Sequence, residues 1–116
     1  MIYAAILFAV AALGGVVLAL MRFGGREIPP MALALVHGLF AAAGLVTLIV
    51  AVVGAGFTTW TAAAVVGFVI AAIGGFVLFS YHLRRQALPK SYVVGHGAVA
   101  VVSFVILLLA IFVFKH

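Results

Sequence analysis

The chain has 116 residues, of which 70% are hydrophobic and only 6% are charged. This composition excludes a soluble globular domain, and the length suffices for about four membrane-spanning helices without a further soluble domain. Cysteine is absent, which excludes disulfides, iron–sulfur clusters and thiolate metal sites. The net charge of +5 comes from residues that flank apolar stretches, so it indicates a membrane surface rather than nucleic acid.

The apolar stretches predict an all-α, four-helix transmembrane bundle that forms a single domain. The predicted spans are about 2–21, 31–53, 57–81 and 91–114. Arg22 follows the first span and no basic residue precedes it, which is the reverse of a secretory signal and predicts a retained helix. Glycine and proline pairs in the loop FGGREIPP mark the end of one helix and the start of the next.

The positive charges predict how the bundle is oriented. Only Lys115 lies on one side of the predicted membrane, and the other five cations lie in two loops on the opposite side. These five are Arg22, Arg26, Arg84, Arg85 and Lys90. The positive-inside rule therefore predicts cytoplasmic loops and outward-facing termini in a cytoplasmic (inner) membrane.

The two halves of the chain, about 1–56 and 57–116, resemble each other in sequence. The matches in the first helix of each half are Phe8 with Phe68 and ALGGVVL (12–18) with AIGGFVL (72–78). In the second helix, after a one-residue slip, His37-Gly38 matches His96-Gly97. Because both halves start on the same side, we expect parallel two-helix hairpin repeats related by a pseudo-twofold axis along the membrane normal.

Two histidines stand inside apolar segments, where an imidazole is costly and usually has a partner. Parallel repeats place His37 and His96 at the same depth, about 8–9 Å from the starts of their helices at 1.5 Å per residue. Small residues follow each histidine at a 4-3-4-3 spacing, which predicts that both face the helix-packing side. The glycines expected in the same layer are Gly14, Gly15, Gly38, Gly74, Gly75, Gly95 and Gly97.

This layer predicts a single haem b near the cytoplasmic face, with His37 and His96 as the two axial ligands of its iron. Glycines allow the helices to approach the flat haem macrocycle closely. The two propionate groups of haem are negatively charged and need cations at the water interface. The cations one to two turns above the layer are Arg22, His82, Arg84, Arg85 and Lys90, and the arginines among them are the candidate propionate partners. No further histidine lies within a predicted span, because His82 begins the second basic loop and His116 is terminal.

With histidines inside two helices and arginines in the adjacent loops, the chain resembles the four-helix membrane b-type cytochromes that serve as quinone-reactive or electron-transfer subunits. The resemblance implies an oxidoreductase or its electron-transfer subunit. It would relay electrons through haem between quinone or quinol and a redox partner, as a homo-oligomer or within a larger complex. Those cytochromes often carry two haems, whereas the outer half here has no histidine except His116.

Other interpretations remain open from the sequence. One is a haem-free integral subunit that braces a larger complex, with the two imidazoles hydrogen-bonded across the bundle. A two-histidine copper or zinc site would leave the usual ligand shell incomplete. A proton-coupled exporter needs a carboxylate within the membrane, whereas Glu27, the only acid in the chain, lies in a loop.

Overall fold

A computed structural model describes residues 1–115 and contains four helices in that range. They are α1 (Ile2–Phe23), α2 (Met31–Ala55), α3 (Thr59–Leu83) and α4 (Lys90–Phe112). All four are long and apolar enough to cross a membrane. Their lengths of 22 to 25 residues correspond to about 33–38 Å at 1.5 Å per residue, which exceeds the roughly 30 Å of a hydrocarbon core.

Local chemistry sets the helix boundaries. Pro30 and Pro89 directly precede α2 and α4, where a missing N–H costs nothing and the fixed φ suits entry into a helix. Thr58 caps α3, because its hydroxyl accepts from the Thr61 backbone N–H while the Thr61 side chain accepts from the Thr58 N–H. The third helix therefore starts at Thr59 rather than at residue 57, and it extends to residue 83 instead of ending at 81.

The helices form two hairpins that pack side by side. The closest packing is within each hairpin, α1 with α2 and α3 with α4, while α2–α3 and α1–α4 contacts join the hairpins. Consequently α1 and α3 lie on one diagonal of the bundle, and α2 and α4 lie on the other. The bundle measures 44 × 20 × 19 Å, so its long axis matches the thickness of a bilayer with its headgroups.

Both basic loops lie at the same end of the bundle. The Leu88 backbone N–H in the second loop donates to the Glu27 carbonyl in the first at 3.1 Å. At the other end, the Trp60 and Phe114 rings stack with centroids 4.3 Å apart. The charge asymmetry read from the sequence therefore corresponds to a real difference between the two ends of the molecule.

Small residues and two phenyl rings fill the centre of the bundle, and large apolar side chains face outward. Phe8 of α1 and Phe68 of α3 stack face to face, with centroids 3.8 Å apart and ring planes within 2°. Leu48 and Leu107 are fully buried beside them. By contrast, Leu13 is 70% exposed, and many other large apolar side chains share this outward placement. An outer surface of this kind is suited to lipid and not to water.

Candidate functional site

Two imidazoles converge inside the bundle from diagonally opposed helices. His37 projects from α2 and His96 from α4, and both side chains are partly buried. Their ring centroids are 6.2 Å apart and their ring planes are perpendicular. The structure thus brings together the two histidines that the sequence analysis paired, in a layer between the stacked phenyl rings and the basic loops.

Each imidazole is oriented by a backbone carbonyl of its own hairpin. His37 Nδ1 lies 2.7 Å from the Ala11 oxygen in α1, and His96 Nδ1 lies 2.8 Å from the Ala71 oxygen in α3. Because a carbonyl can only accept, Nδ1 carries the proton in both rings. In a neutral imidazole the lone pair then resides on Nε2, which is the arrangement that a metal-binding histidine adopts. No hydrogen bond joins His37 to His96 among the described residues, and each ring is bonded instead to the neighbouring helix of its own hairpin.

The tandem glycines make room for the imidazoles. A Cβ atom on Gly15 would lie 2.9 Å from His37 Cε1, and one on Gly75 would lie 3.3 Å from His96 Cε1. Corresponding atoms on Gly14 and Gly74 would each lie 3.5 Å from the nearest histidine atom. Any side chain at the second glycine of either pair would therefore crowd the ring that binds the carbonyl four residues earlier. The tandem glycines therefore contact the imidazole rings, which is a packing role that the sequence analysis did not assign to them.

The remaining glycines assigned to the layer have no close neighbours from other helices. Gly38 and Gly95 are exposed, Gly97 is partly buried, and a Cβ atom on any of the three would meet nothing within 4 Å. One residue corresponds to a rotation of about 100° in a helix, so a glycine directly before or after an inward-facing histidine points away from it. Adjacency to a histidine in the sequence therefore did not predict which glycines pack against another helix.

Of the three arginines proposed for the site, only Arg22 reaches toward the interior. It is partly buried, and its Nε donates to the Leu88 carbonyl at 2.7 Å. Arg84 is exposed instead, donates to the backbone and side-chain oxygens of Ser80, and stacks over the Tyr81 ring at 4.5 Å. Arg85 is also exposed and turns the chain with a φ of 53°. Both side chains lie past the end of α3, where the chain leaves the bundle.

His82 is a buried imidazole near the basic loops. The sequence placed it at the start of the second loop, but it lies in the last turn of α3 and is only 6% exposed. Neither of its ring nitrogens has a hydrogen-bond partner among the described residues. The signal was present in the sequence, since the inward positions of α3 continue with the spacing 4-3-4-3-4. These positions are Ala64, Phe68, Ala71, Gly75, Leu78 and His82.

An open groove on the outside of the bundle reaches His96. It has a volume of about 380 Å³ and lies between α3 and α4. Its walls are formed by Gly74, Val77, Ser91, Tyr92, Gly95 and His96. Gly95 leaves the groove open, whereas the residue one position before His37 in α2 is Val36. The second hairpin therefore exposes its imidazole to an apolar groove with two hydroxyl groups.

The two imidazoles suit a metal ion whose other coordination positions are filled by a prosthetic group. No group of three or more His, Cys, Asp or Glu side chains occurs among the described residues. Tetrahedral zinc takes at least three protein ligands, so the imidazole pair alone does not form such a site. A metal macrocycle that supplies four equatorial nitrogens would need only two ligands from the protein, and this layer offers two imidazoles.

Comparison with known proteins gives no relative for this chain. No protein-family model matches it, and neither a curated protein nor a solved structure is significantly similar to it. The assignment of a function therefore rests on the geometry of the site.

Proposed function

We propose that the chain is an integral membrane b-type cytochrome that relays electrons through one haem b bound by His37 and His96. The observation that carries this proposal is the geometry of the imidazole pair. Two metal–nitrogen bonds of about 2 Å on opposite sides of an iron would place the Nε2 atoms about 4 Å apart and the ring centres roughly 6 Å apart. The observed centroid distance of 6.2 Å agrees with this value.

The hydrogen bonds of the two rings support the same proposal. Metal-binding histidines almost always donate their other N–H to a carbonyl, carboxylate or water, which fixes the tautomer and the ring orientation. His37 and His96 both donate their Nδ1–H to a backbone carbonyl, which leaves Nε2 of each ring free to bind a metal. Two axial imidazoles leave no open position on the iron, which suits electron transfer rather than binding of oxygen.

In this proposal the hairpins are parallel repeats about a pseudo-twofold axis along the membrane normal. Support comes from contacts that correspond between the halves. The Ala11 carbonyl that binds His37 and the Ala71 carbonyl that binds His96 are 60 residues apart, as are Phe8 and Phe68. This symmetry would place His37 and His96 at the same depth in the membrane, on opposite sides of an iron at the centre of the bundle.

The electron donor proposed for this haem is a quinol, with a redox protein as the acceptor. A quinol is an apolar molecule with a polar ring, and it reaches the protein from within the bilayer. The groove at His96 offers apolar walls and the hydroxyl groups of Ser91 and Tyr92. Such a combination of a largely apolar surface with a few polar groups is typical of small-molecule sites.

The test is a reduced-minus-oxidised visible spectrum of the purified protein in nanodiscs, with a short-chain quinol and then dithionite as reductants. We expect a Soret band and the sharp α-band of a low-spin haem b with either reductant. Gly95→Val should keep the dithionite spectrum but slow reduction by quinol about tenfold or more, because the added side chain fills the groove. Val36→Leu, the equivalent site on α2, is the matched control.

Two results would contradict parts of this proposal separately. If the protein lacks a Soret band after expression with sufficient haem, the cytochrome assignment is wrong. If Gly95→Val is reduced by quinol as fast as the parent, the haem assignment stands but the groove is not the quinol site.

The second candidate function is a haem-free subunit that braces a larger complex. It is favoured by the two bonds from imidazole to carbonyl, because each one joins the two helices of a hairpin without a ligand. Under this hypothesis the histidines are structural, and His37→Gln would cost stability without changing any visible spectrum.

The proposed orientation places the basic loops in the cytoplasm and the chain ends outside, in a cytoplasmic (inner) membrane. It is supported by the five cations at the loop end of the bundle. Since the chain has no cysteine, Gln86→Cys gives a unique thiol at an exposed position. This thiol should be shielded from a membrane-impermeant maleimide in intact cells, while Phe57→Cys at the other end should react. Labelling in the reverse pattern would invert the assigned topology.

A further inference from the structure

His82 is a buried polar group that nothing in the described chain satisfies. It is 6% exposed, and both ring nitrogens are shielded from solvent and without a hydrogen-bond partner. Buried polar atoms in folded proteins are nearly always hydrogen-bonded, so an imidazole with two free nitrogens calls for a ligand or ordered water. At least one of these nitrogens carries a hydrogen and can donate it.

The position of His82 relates it to the imidazole layer. It lies seven residues after Gly75, which contacts the His96 ring. Seven residues of helix span about 10 Å, so His82 lies about two turns from the layer on the same inward-facing side of α3. The direction is toward the basic loops, and the buried Leu88 of the second loop lies at that end.

Arg22 occupies the corresponding place across the diagonal. It lies seven residues after Gly15 in α1, just as His82 follows Gly75 in α3. One of its five N–H donors binds the Leu88 carbonyl, so the guanidinium lies at the loop end of the bundle. This side chain makes no other hydrogen bond among the described residues. The end of the bundle nearest the imidazoles thus holds a guanidinium on one diagonal helix and an unsatisfied imidazole on the other.

We infer that Arg22 and His82 bind the carboxylate groups of the porphyrin held between His37 and His96. This inference rests on the proposed function and assigns the polar end of the same site. The two carboxylates of haem b extend from one edge of the macrocycle, so one edge of a haem in the layer must meet donors. A carboxylate accepts from both a guanidinium and an imidazole N–H, and the hydrogen bond to the guanidinium is charge-assisted.

Nothing in the described chain competes for this role. Glu27, the only acid, is exposed, so Arg22 and His82 have no buried carboxylate of the protein itself. Four other cations near this end are also exposed. They are Arg26, Arg84, Arg85 and Lys90. The partly buried Arg22 and the buried His82 are therefore the partners inferred for the propionates, in place of the exposed Arg84 and Arg85.

The test compares binding of haem b with binding of its dimethyl ester, in which the carboxylates are neutral and esterified. Apoprotein in detergent is titrated with each porphyrin, and the low-spin Soret band reports the fraction bound through both histidines. The parent should bind the free acid at least about tenfold more tightly than the ester, as expected for loss of a charge-assisted contact. Arg22→Gln and His82→Leu should each weaken binding of the acid about tenfold and leave binding of the ester unchanged.

Two further variants separate the explanations. His82→Gln retains a donor and should recover part of the preference for the acid, which would not occur if His82→Leu merely perturbed the fold. Arg84→Gln, at an exposed cation, should leave both affinities unchanged. Equal affinities of the parent for acid and ester, or equal losses for both in the variants, would overturn the inference while the haem assignment stands. Failure of the parent to bind either porphyrin in a low-spin form would overturn both.

Discussion

His37→Ala and His96→Ala should each abolish the low-spin spectrum, and the double variant should bind no haem. In the proposed site each imidazole would supply one of the two axial bonds, and its removal would leave the iron with an empty position inside an apolar layer. The two single variants should behave alike, because their rings make equivalent hydrogen bonds to Ala11 and Ala71. The measurement is the visible spectrum of the purified variants in both oxidation states, together with their haem content.

Controls distinguish loss of a ligand from loss of the fold. His37→Gly with added imidazole should regain the low-spin spectrum, since the small molecule can occupy the space of the missing ring. His82→Ala should keep the spectrum, as its expected role concerns affinity and not ligation. His116→Ala, at a position outside the described residues, should keep it as well. Loss of the Soret band in His82→Ala but not in His37→Ala would contradict the ligand assignment.

Gly15→Ala should reduce haem affinity about 10–100-fold, the range found when a group that orients a metal-binding histidine is changed. The new Cβ would lie 2.9 Å from His37 Cε1, closer than such atoms normally approach, so either the ring or helix α1 must move. Either movement lengthens the bond from Nδ1 to the Ala11 carbonyl, which is 2.7 Å in the structure. Haem titration of the apoprotein measures the loss.

The chain contains a graded set of controls for this effect. Gly75→Ala should be milder, because its Cβ would lie 3.3 Å from His96 Cε1 and a small shift of the ring suffices. Gly38→Ala should leave haem affinity unchanged, since a Cβ there meets nothing within 4 Å. Equal affinities for the Gly15, Gly75 and Gly38 variants would mean that the glycines do not position the imidazoles.

The helices and the convergence of two histidines could be predicted because they depend on simple periodic properties. Twenty apolar residues fix a span, prolines fix the starts of α2 and α4, and the 4-3 spacing after His37 and His96 identifies an inward face. The described structure contains four helices of membrane-spanning length and places both imidazoles in one layer.

What could not be predicted depends on side-chain direction and on partners far away in sequence. Gly38 and Gly97 were grouped with their neighbouring histidines, but a single step along a helix rotates them out of the layer. Arg84 and Arg85 were chosen for their charge and their expected depth, which do not determine side-chain direction, and both side chains are exposed. His82 was placed in the loop because a polar residue next to a basic run resembles a loop, although its spacing from Gly75 and Leu78 indicates an inward position in α3.

The stacked phenyl rings have a consequence for the imidazole layer above them. Phe8 and Phe68 bridge the α1–α3 diagonal, and their separation of 3.8 Å is fixed by the thickness of aromatic rings. Phe8 also packs closely over Gly44 of α2, where an added Cβ atom would lie 3.1 Å from the ring. The width of the interior is thus preorganised one to two turns from His37 and His96. A ligand that binds there loses translational and rotational entropy. The four helices are already ordered, so they lose little conformational entropy when it binds.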